Sequence, residues 1–434
     1  MSTVTAPTRR PTPATARNRR TPTRKRRQAP WARSAAWQSP VTSYYLIGGV
    51  TILLLVLGLV MVLSSSSIYA LNATEGANPF ADFIGQASYA LIAVPVAFAM
   101  SRLPVRIYRG LAWVAMGGTL ALQALVFTPL VLAEGGNANW VAIGPIVLQP
   151  SEFAKFGLAL WLGAVLATKG KLLVHWSHVL FPAVVVSAVF LGTVLYTHDL
   201  GTALVFITLI AGALWVAGVP LSKFLVGGCG VVALVAFLAV SSQSRTDRIL
   251  HFLGMGGEAD PLGTGMQGRR ALEGLGSGGL SGVGLGASKE KWLWLPAGDN
   301  DFIFAIIGEE LGLLGCLLVL ALFVALAVGL CRVIARHPDP FVKITTAAVA
   351  SWIVGQAVIN IGVAIGVLPV IGLPLPLVSK GGSSLVTTIA ALAMVLAFAR
   401  DEPGAREALA ARKGSMRRSL AVISGRLGSR PGRG

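Results

Sequence analysis

Acidic residues are scarce in this chain: Asp and Glu number 18 against 36 Lys and Arg, and charged residues together make up 12% of the 434 positions. Soluble domains carry about 25% charged residues. With 54% apolar residues and a mean hydropathy of +0.72, a water-soluble globule is excluded. What is left is an all-α polytopic membrane protein. Cysteine is nearly missing too, and Cys229, Cys316 and Cys331 all fall in apolar runs without metal-ligand spacing. Neither a disulfide framework nor a zinc site is predicted.

A formal charge of +18 would suggest nucleic acid if the basic residues shared one folded face. They crowd instead into the ends: Arg9, Arg10, Arg24, Lys25, Arg26 and Arg27 before the first apolar run, Arg412, Lys413, Arg417 and Arg418 after the last. Positive residues flanking membrane spans stay cytoplasmic and attract anionic lipid headgroups, so topology and lipid contact are expected and nucleic acid is not. Residues 1–43, rich in Pro, Thr and Arg, are too polar to fold and are expected to form a disordered cytoplasmic tail. Residues 401–434 form a second basic cytoplasmic tail, and 44–400 a single membrane domain.

Runs long enough to cross about 30 Å of hydrocarbon number ten. They lie near Tyr45–Leu63, Phe83–Met100 and Leu111–Leu132, then in a fourth segment ending at Lys169 and Lys171. Val179–Tyr196 and Gly201–Val219 follow as a tight hairpin, then Phe224–Val240, a long run from Phe302 to Arg336, Thr345–Val367 and Leu385–Phe398. Residues 134–151 read as a loop. Both tails inside require an even number of crossings, which puts a large extracytoplasmic loop, 241–300, between helices 7 and 8. Arg245, Arg248, Arg269, Arg270, Lys289 and Lys291 then lie outside, against the positive-inside trend, which weakens for long loops. They are either solvated loop residues or ligands for an anion, with Arg suited to phosphate oxygens.

Three clusters could carry chemistry. In Leu295–Leu311 (LPAGDNDFIFAIIGEEL), Asp299 and Asp301 stand where the glycine-rich segment Gly274–Ser288 meets an apolar run. They either cap the following helix or present a base at the wet mouth of a membrane helix, able to take a proton from a hydroxyl nucleophile. In Gln149–Lys155 (QPSEFAK), Pro150 starts a helix that sets Glu152 and Lys155 on one face, as a structural salt bridge or as a functional intramembrane pair. In Gly372–Ser384 (GLPLPLVSKGGSS), irregular backbone beside a span makes Ser379, Lys380, Ser383 and Ser384 candidates for lining a cavity. The glycine string lacks the lysine-serine ending of a nucleotide loop, and is expected instead to let backbones approach closely.

These segments, together with HDLGTAL at His198–Leu204 and DPLGTG at Asp260–Gly265, resemble in order and wording the SEDS family of bacterial cell-wall proteins (shape, elongation, division and sporulation). The resemblance spans Tyr45 to Arg400, and GVGLGAS with the lysine after it is closer to the division branch than to the elongation branch. It implies a peptidoglycan glycosyltransferase that polymerises lipid II, with Asp301 matching the family's essential acid as base on the acceptor 4-hydroxyl. Glu152 and Lys155 match the family's buried acid and base. The resemblance also implies a class B penicillin-binding protein as transpeptidase partner, further cell-division partners, and residence in the bacterial plasma membrane at the septum. No organic cofactor is expected, and a divalent cation, Mg2+ or Mn2+, is the expected helper for the departing pyrophosphate. The sequence departs from the family wording at Ala297, Asp299, Ile371 and Lys380, and Asp299 makes two acids candidates for the base. A lipid-precursor transporter and a non-catalytic division scaffold are the competing readings.

Overall fold

The computed structural model describes residues 37, 39–134, 137–144, 146–240, 243–252, 255, 265–292 and 294–411. Both tails, for the most part, and the stretch 256–264 with most of DPLGTG therefore lie outside the described residues. Ten described helices are long and apolar enough to cross a membrane. In chain order, α1 is Thr42–Ser65, α2 the short Ser67–Ala73, α3 Ala81–Met100 and α4 Val105–Ala124. A small antiparallel sheet follows, with β1 Val131–Glu134, β2 Asn137–Ile143 and β3 Ile146–Leu148 in the order β1-β2-β3. Next come α5 Pro150–Lys169, α6 Trp176–Tyr196 and α7 Leu200–Ala217. The rest is α8 Leu221–Val240, α9 Gln243–Phe252, α10 Met266–Ser277, α11 Ile303–Arg336, α12 Pro340–Ala364 and α13 Gly382–Arg400.

The bundle differs from the apolar pattern in five places. The third crossing starts at Val105, directly after Pro104, rather than at Leu111. Thr128-Pro129 ends the third crossing early, since proline has no N–H to donate, and the apolar residues beyond it become β1. The expected loop 134–151 contains the rest of that sheet. The segment between α8 and α11 contains two amphipathic helices, α9 and α10, rather than loop throughout. Finally, α12 begins at Pro340, a turn earlier than hydropathy suggested, because Asp339 accepts a hydrogen bond from the Phe341 amide at 3.0 Å and caps it.

Close helix approach in the centre depends on small residues. A Cβ on Gly163 of α5 would lie 1.9 Å from the Thr345 hydroxyl of α12, and one on Gly212 of α7 1.9 Å from that of Ser351. Helices α5, α7, α11 and α13 therefore meet around α12, the axis of the core. The N-terminal ends of these four and the C-terminal end of α12 converge at one end of the bundle.

Candidate active site

Asp301 sits at that convergence, in the turn before α11. Neither it nor Asp299 caps the helix: the N-cap position is Phe302 and receives no side-chain hydrogen bond. The capping reading fails, and the two carboxylates have different surroundings. Asp299 is buried and lies 3.3 Å from the Lys380 ammonium, which also reaches Asp82 at the head of α3 at 2.8 Å. Asp301 is partly buried, and among the described residues no donor lies within hydrogen-bond range of its carboxylate. Gly372 faces it with φ +78°, and a Cβ there would sit 3.4 Å from Asp301 Oδ2. Glycine at this position suits the positive φ and keeps the carboxylate uncrowded.

Burial pushes the Asp301 carboxyl up to about 7, helped by the negative charges of Asp199 and Asp299 and opposed by Arg248. Burial also raises Asp299, against the pull of Lys380. Lys380 ends raised: burial lowers it, but Asp299 and Asp82 outweigh that. Asp199, the N-cap of α7, is fully engaged. It accepts from the Thr202 amide at 2.8 Å, the Thr202 hydroxyl at 2.7 Å, Asn139 Nδ2 of β2 at 2.7 Å and Gln149 Nε2 at 3.3 Å. Of three neighbouring acids, two are held by protein groups and Asp301 is open.

The irregular segment between α12 and α13 is where most of the positioning happens. Its carbonyls are buried without a helix or sheet to receive them, so side chains do so. Asn360 Nδ2 donates to Leu373 O at 2.6 Å and to Asp301 O at 2.7 Å. Gln356 Nε2 donates to Pro374 O at 2.8 Å, and Gln86 donates to Ser379 O and accepts from the Gly381 amide. The Ser379 hydroxyl donates to Asn300 O at 2.5 Å while accepting from the Leu375 amide at 2.8 Å. All but the Leu375–Ser379 bond, which is internal to the segment, reach a helix or the Asp301 turn and so fix the backbone that carries the acid.

On its other flank, the Asp301 turn is braced by the glycine-rich segment. Helix α11 is interrupted at Gly312, where φ is +68° and ψ −165°, a conformation that a side chain would disfavour. The break frees backbone groups that the segment takes up: the Val283 and Gly284 amides donate to Glu309 O and Glu310 O, and the Leu313 and Leu314 amides to Gly279 O and Leu280 O. A Cβ on Gly278 would lie 1.9 Å from Gly308 O and one on Gly282 2.1 Å from Glu310 O, so close backbone approach is indeed the use of these glycines. Buried Glu309 accepts from the Ser288 hydroxyl at 2.5 Å and the Lys289 amide at 2.8 Å. Buried Glu310 accepts from the Ser64 hydroxyl at 2.5 Å and lies 3.6 Å from the Lys291 ammonium.

The other residues singled out from the sequence divide accordingly. Arg248, on α9, is near enough for its positive charge to act on Asp301. Arg245 shares that helix, but its side chain lies outside the described residues. Lys289 is exposed and contributes its backbone to Glu309. Ser383 accepts from the Gln149 amide at 3.1 Å, and Ser384 is partly buried one residue on. Glu152 and Lys155 form a buried pair at 2.9 Å, and Lys155 Nζ also donates to Gln356 Oε1 at 3.2 Å and sits 4.9 Å from the Trp352 ring. Gln356 links this pair to the Asp301 segment. Sequence reasoning missed Asp199, Gln356 and Asn360 as site residues; the signal was there, an acid inside a quoted motif and two amides in the middle of an apolar run.

Comparison with known proteins agrees with this architecture. A family profile for FtsW, RodA and SpoVE, described as "Cell cycle protein", matches residues 45–403. The Mycobacterium tuberculosis protein named "Probable peptidoglycan glycosyltransferase FtsW" is 38% identical over 384 residues, 88% of this chain and 72% of its own length. Bacillus subtilis Stage V sporulation protein E is 35% identical over 357 residues, 81% of this chain and 95% of its own. Among solved structures, one reported as "Structural coordination of polymerization and crosslinking by a peptidoglycan synthase complex" contains a chain with TM-score 0.68 and 28% identity, covering 82% of this chain and 97% of that one. The rod shape determining protein RodA of Thermus thermophilus has TM-score 0.59 at 27% identity, with the same coverage. Similarity that runs from the first spanning helix past the last admits one assignment: this multi-pass membrane chain belongs to the FtsW, RodA and SpoVE family, the SEDS family that its motifs resemble.

Proposed function

We propose that the chain is a peptidoglycan glycosyltransferase that polymerises lipid II, with Asp301 as its general base. The names of its relatives support the activity. The observation that carries the choice of base is that Asp301 alone of three clustered acids has no bonding partner among the described residues, while its carboxyl is raised to about 7. A base whose pKa lies near the working pH is ionised often enough to act and still basic enough to accept a proton.

In this reading the Asp301 carboxylate takes the proton of the acceptor 4-hydroxyl. The freed oxygen attacks the anomeric carbon of the growing chain, and the bond from that carbon to the lipid pyrophosphate breaks with its electron pair leaving on the phosphate. Arg248, whose charge acts on Asp301, supplies positive charge for that leaving group, with Arg245 on the same helix. Asp299 and Lys380 hold the turn, and the Ser379 hydroxyl ties it to the segment between α12 and α13. Glu152 and Lys155 fix the segment behind it through Gln356.

A divalent cation, Mg2+ or Mn2+, would add charge neutralisation at the pyrophosphate. No group of three or more His, Cys, Asp or Glu side chains among the described residues could hold one. Asp301 would supply a carboxylate ligand to such an ion, leaving room for the phosphate oxygens of the substrate. Ten crossings and basic tails support cytoplasmic termini and an extracytoplasmic Asp301. The similarity to a chain of a peptidoglycan synthase complex supports a class B penicillin-binding protein partner, and the family description, cell cycle protein, supports a place at the division septum.

The test is lipid II polymerisation by the purified protein with its transpeptidase partner. Loss of glycan strands in Asp301→Asn, with activity kept in Asp299→Asn at equal folding, is the expected result. Full activity in Asp301→Asn would overturn the assignment and return weight to transport or scaffolding.

A further inference from the structure

At the end of the bundle opposite Asp301 a second feature goes unused by this chemistry. Helices α6, α7 and α8 splay around an apolar cavity of about 350 Å³, within the roughly 300–1,000 Å³ range of ligand pockets. Leu180 and Leu191 of α6, Ile207 and Leu214 of α7 and Gly228 of α8 are among its walls, and Ser187 and Lys223 are its only polar side chains besides Trp176. Its mouth is cationic. Lys223 is buried there, its ammonium donating to Leu173 O at 3.0 Å and Val174 O at 2.8 Å and lying 5.0 Å from the Trp176 ring. Lys171 and His175 are exposed on the same connection, and Lys169 donates to the His178 and Phe181 carbonyls beside them.

No carboxylate close to Lys223 in sequence neutralises this group. From Phe153 to Thr246 the sequence holds one carboxylate, Asp199, and that lies at the other end of these helices, about 30 Å away for a helix of twenty residues. An apolar slot between helices, open at a mouth that carries fixed and exposed positive charge, is complementary to a molecule with a hydrocarbon chain and an anionic head. We infer that this cavity binds one anionic phospholipid from the leaflet opposite the Asp301 end. Its acyl chain fills the slot and its phosphate meets Lys171 and His175, with Lys223 as a fixed charge behind them. The site is distinct from any lipid attraction of the basic tails, which lie outside it in sequence.

The experiment uses the full chain, stripped of lipid in neutral detergent and titrated with phosphatidylglycerol or phosphatidylcholine, counting retained lipids by native mass spectrometry. Wild type is expected to retain one phosphatidylglycerol in preference to phosphatidylcholine. Lys171→Gln, on the exposed rim where folding is not at stake, should weaken that retention about fivefold, the effect of one basic group beside an anionic lipid. Gly228→Leu, which fills the slot and leaves the tails unchanged, should abolish it. Equal retention of the two lipids, or undiminished phosphatidylglycerol retention in both variants, would overturn the inference. Because the readout is binding, the result is independent of whether Asp301 is the base.

Discussion

Two of the charged sites within this apolar bundle, the Glu152–Lys155 pair and Asp301, have opposite designs. Glu152 and Lys155 are both almost wholly inaccessible, face each other at 2.9 Å, and have their remaining capacity taken up by Gln356, Thr387 and the Trp352 ring. Asp301 is set among other acids, with only Arg248 opposing and no donor in reach among the described residues. Burying a charge is tolerable when its partner is built in. A charge left without one is held in place by everything around it, at a cost that a purely structural site would not retain. The first arrangement is a fastener; the second suits the reactive group proposed for Asp301.

The largest expected effects come from removing one member of each site. Asp301→Asn should lower polymerisation by about 100-fold or more, the usual contribution of a positioned base, with far-UV circular dichroism unchanged. Lys155→Met should do the converse. It leaves Glu152 uncompensated, at a cost of about 3–5 kcal/mol, and should appear as loss of detergent-stable protein that a Glu152→Gln, Lys155→Met double variant largely recovers. If Lys155→Met folded normally and lost only activity, the comparison would fail.

A subtler contrast lies in pH. Activity should rise with pH through about 7 as Asp301 ionises. Because that carboxyl is raised above its ordinary 3.8, the folded chain retains a proton that the unfolded chain has released between these values. Its contribution to stability therefore falls as pH rises across that window and is fully lost above it. Asp301→Asn should accordingly melt higher than wild type above neutrality and show little difference in acid. Asp299→Asn removes one of the charges that raise Asp301, so the acid limb of its pH–rate profile should move to lower pH, with activity kept within about tenfold. The smallest effect is expected for Lys289→Gln, an exposed substitution that should change stability by no more than about 0.5 kcal/mol and leave polymerisation unchanged.

The membrane bundle was legible because hydropathy over twenty residues is a local property. All ten crossings correspond to expected runs, and the ends that moved most did so beside Pro104, Pro129 and Asp339, where local signals override apolar content. The sheet over 131–148 was not legible, since its short strands are stabilised by pairing and carry little pattern of their own. Within the site, Asp301 stood out by its sequence context, but the choice between it and Asp299 did not. Two acids separated by one residue look alike in a string, and only the arrival of Lys380 from 81 residues downstream occupies one of them. The uses of Ser379, Asn360 and Gln356 were hidden for the same reason, as their partners are carbonyls of distant irregular backbone.

By itself, then, the sequence determined the solvent this protein folds in, the number of its crossings and the short list of groups able to do chemistry, because hydropathy and residue type are fixed before any contact forms. The tertiary structure decided which carboxylate is left open. It also decided that the glycine segment fills a break in α11 and that Ser379 and Ser383 hold backbone. Those outcomes depend on which donors arrive at which acceptors once the helix ends converge, and hydrogen bonds act only over the last few ångströms.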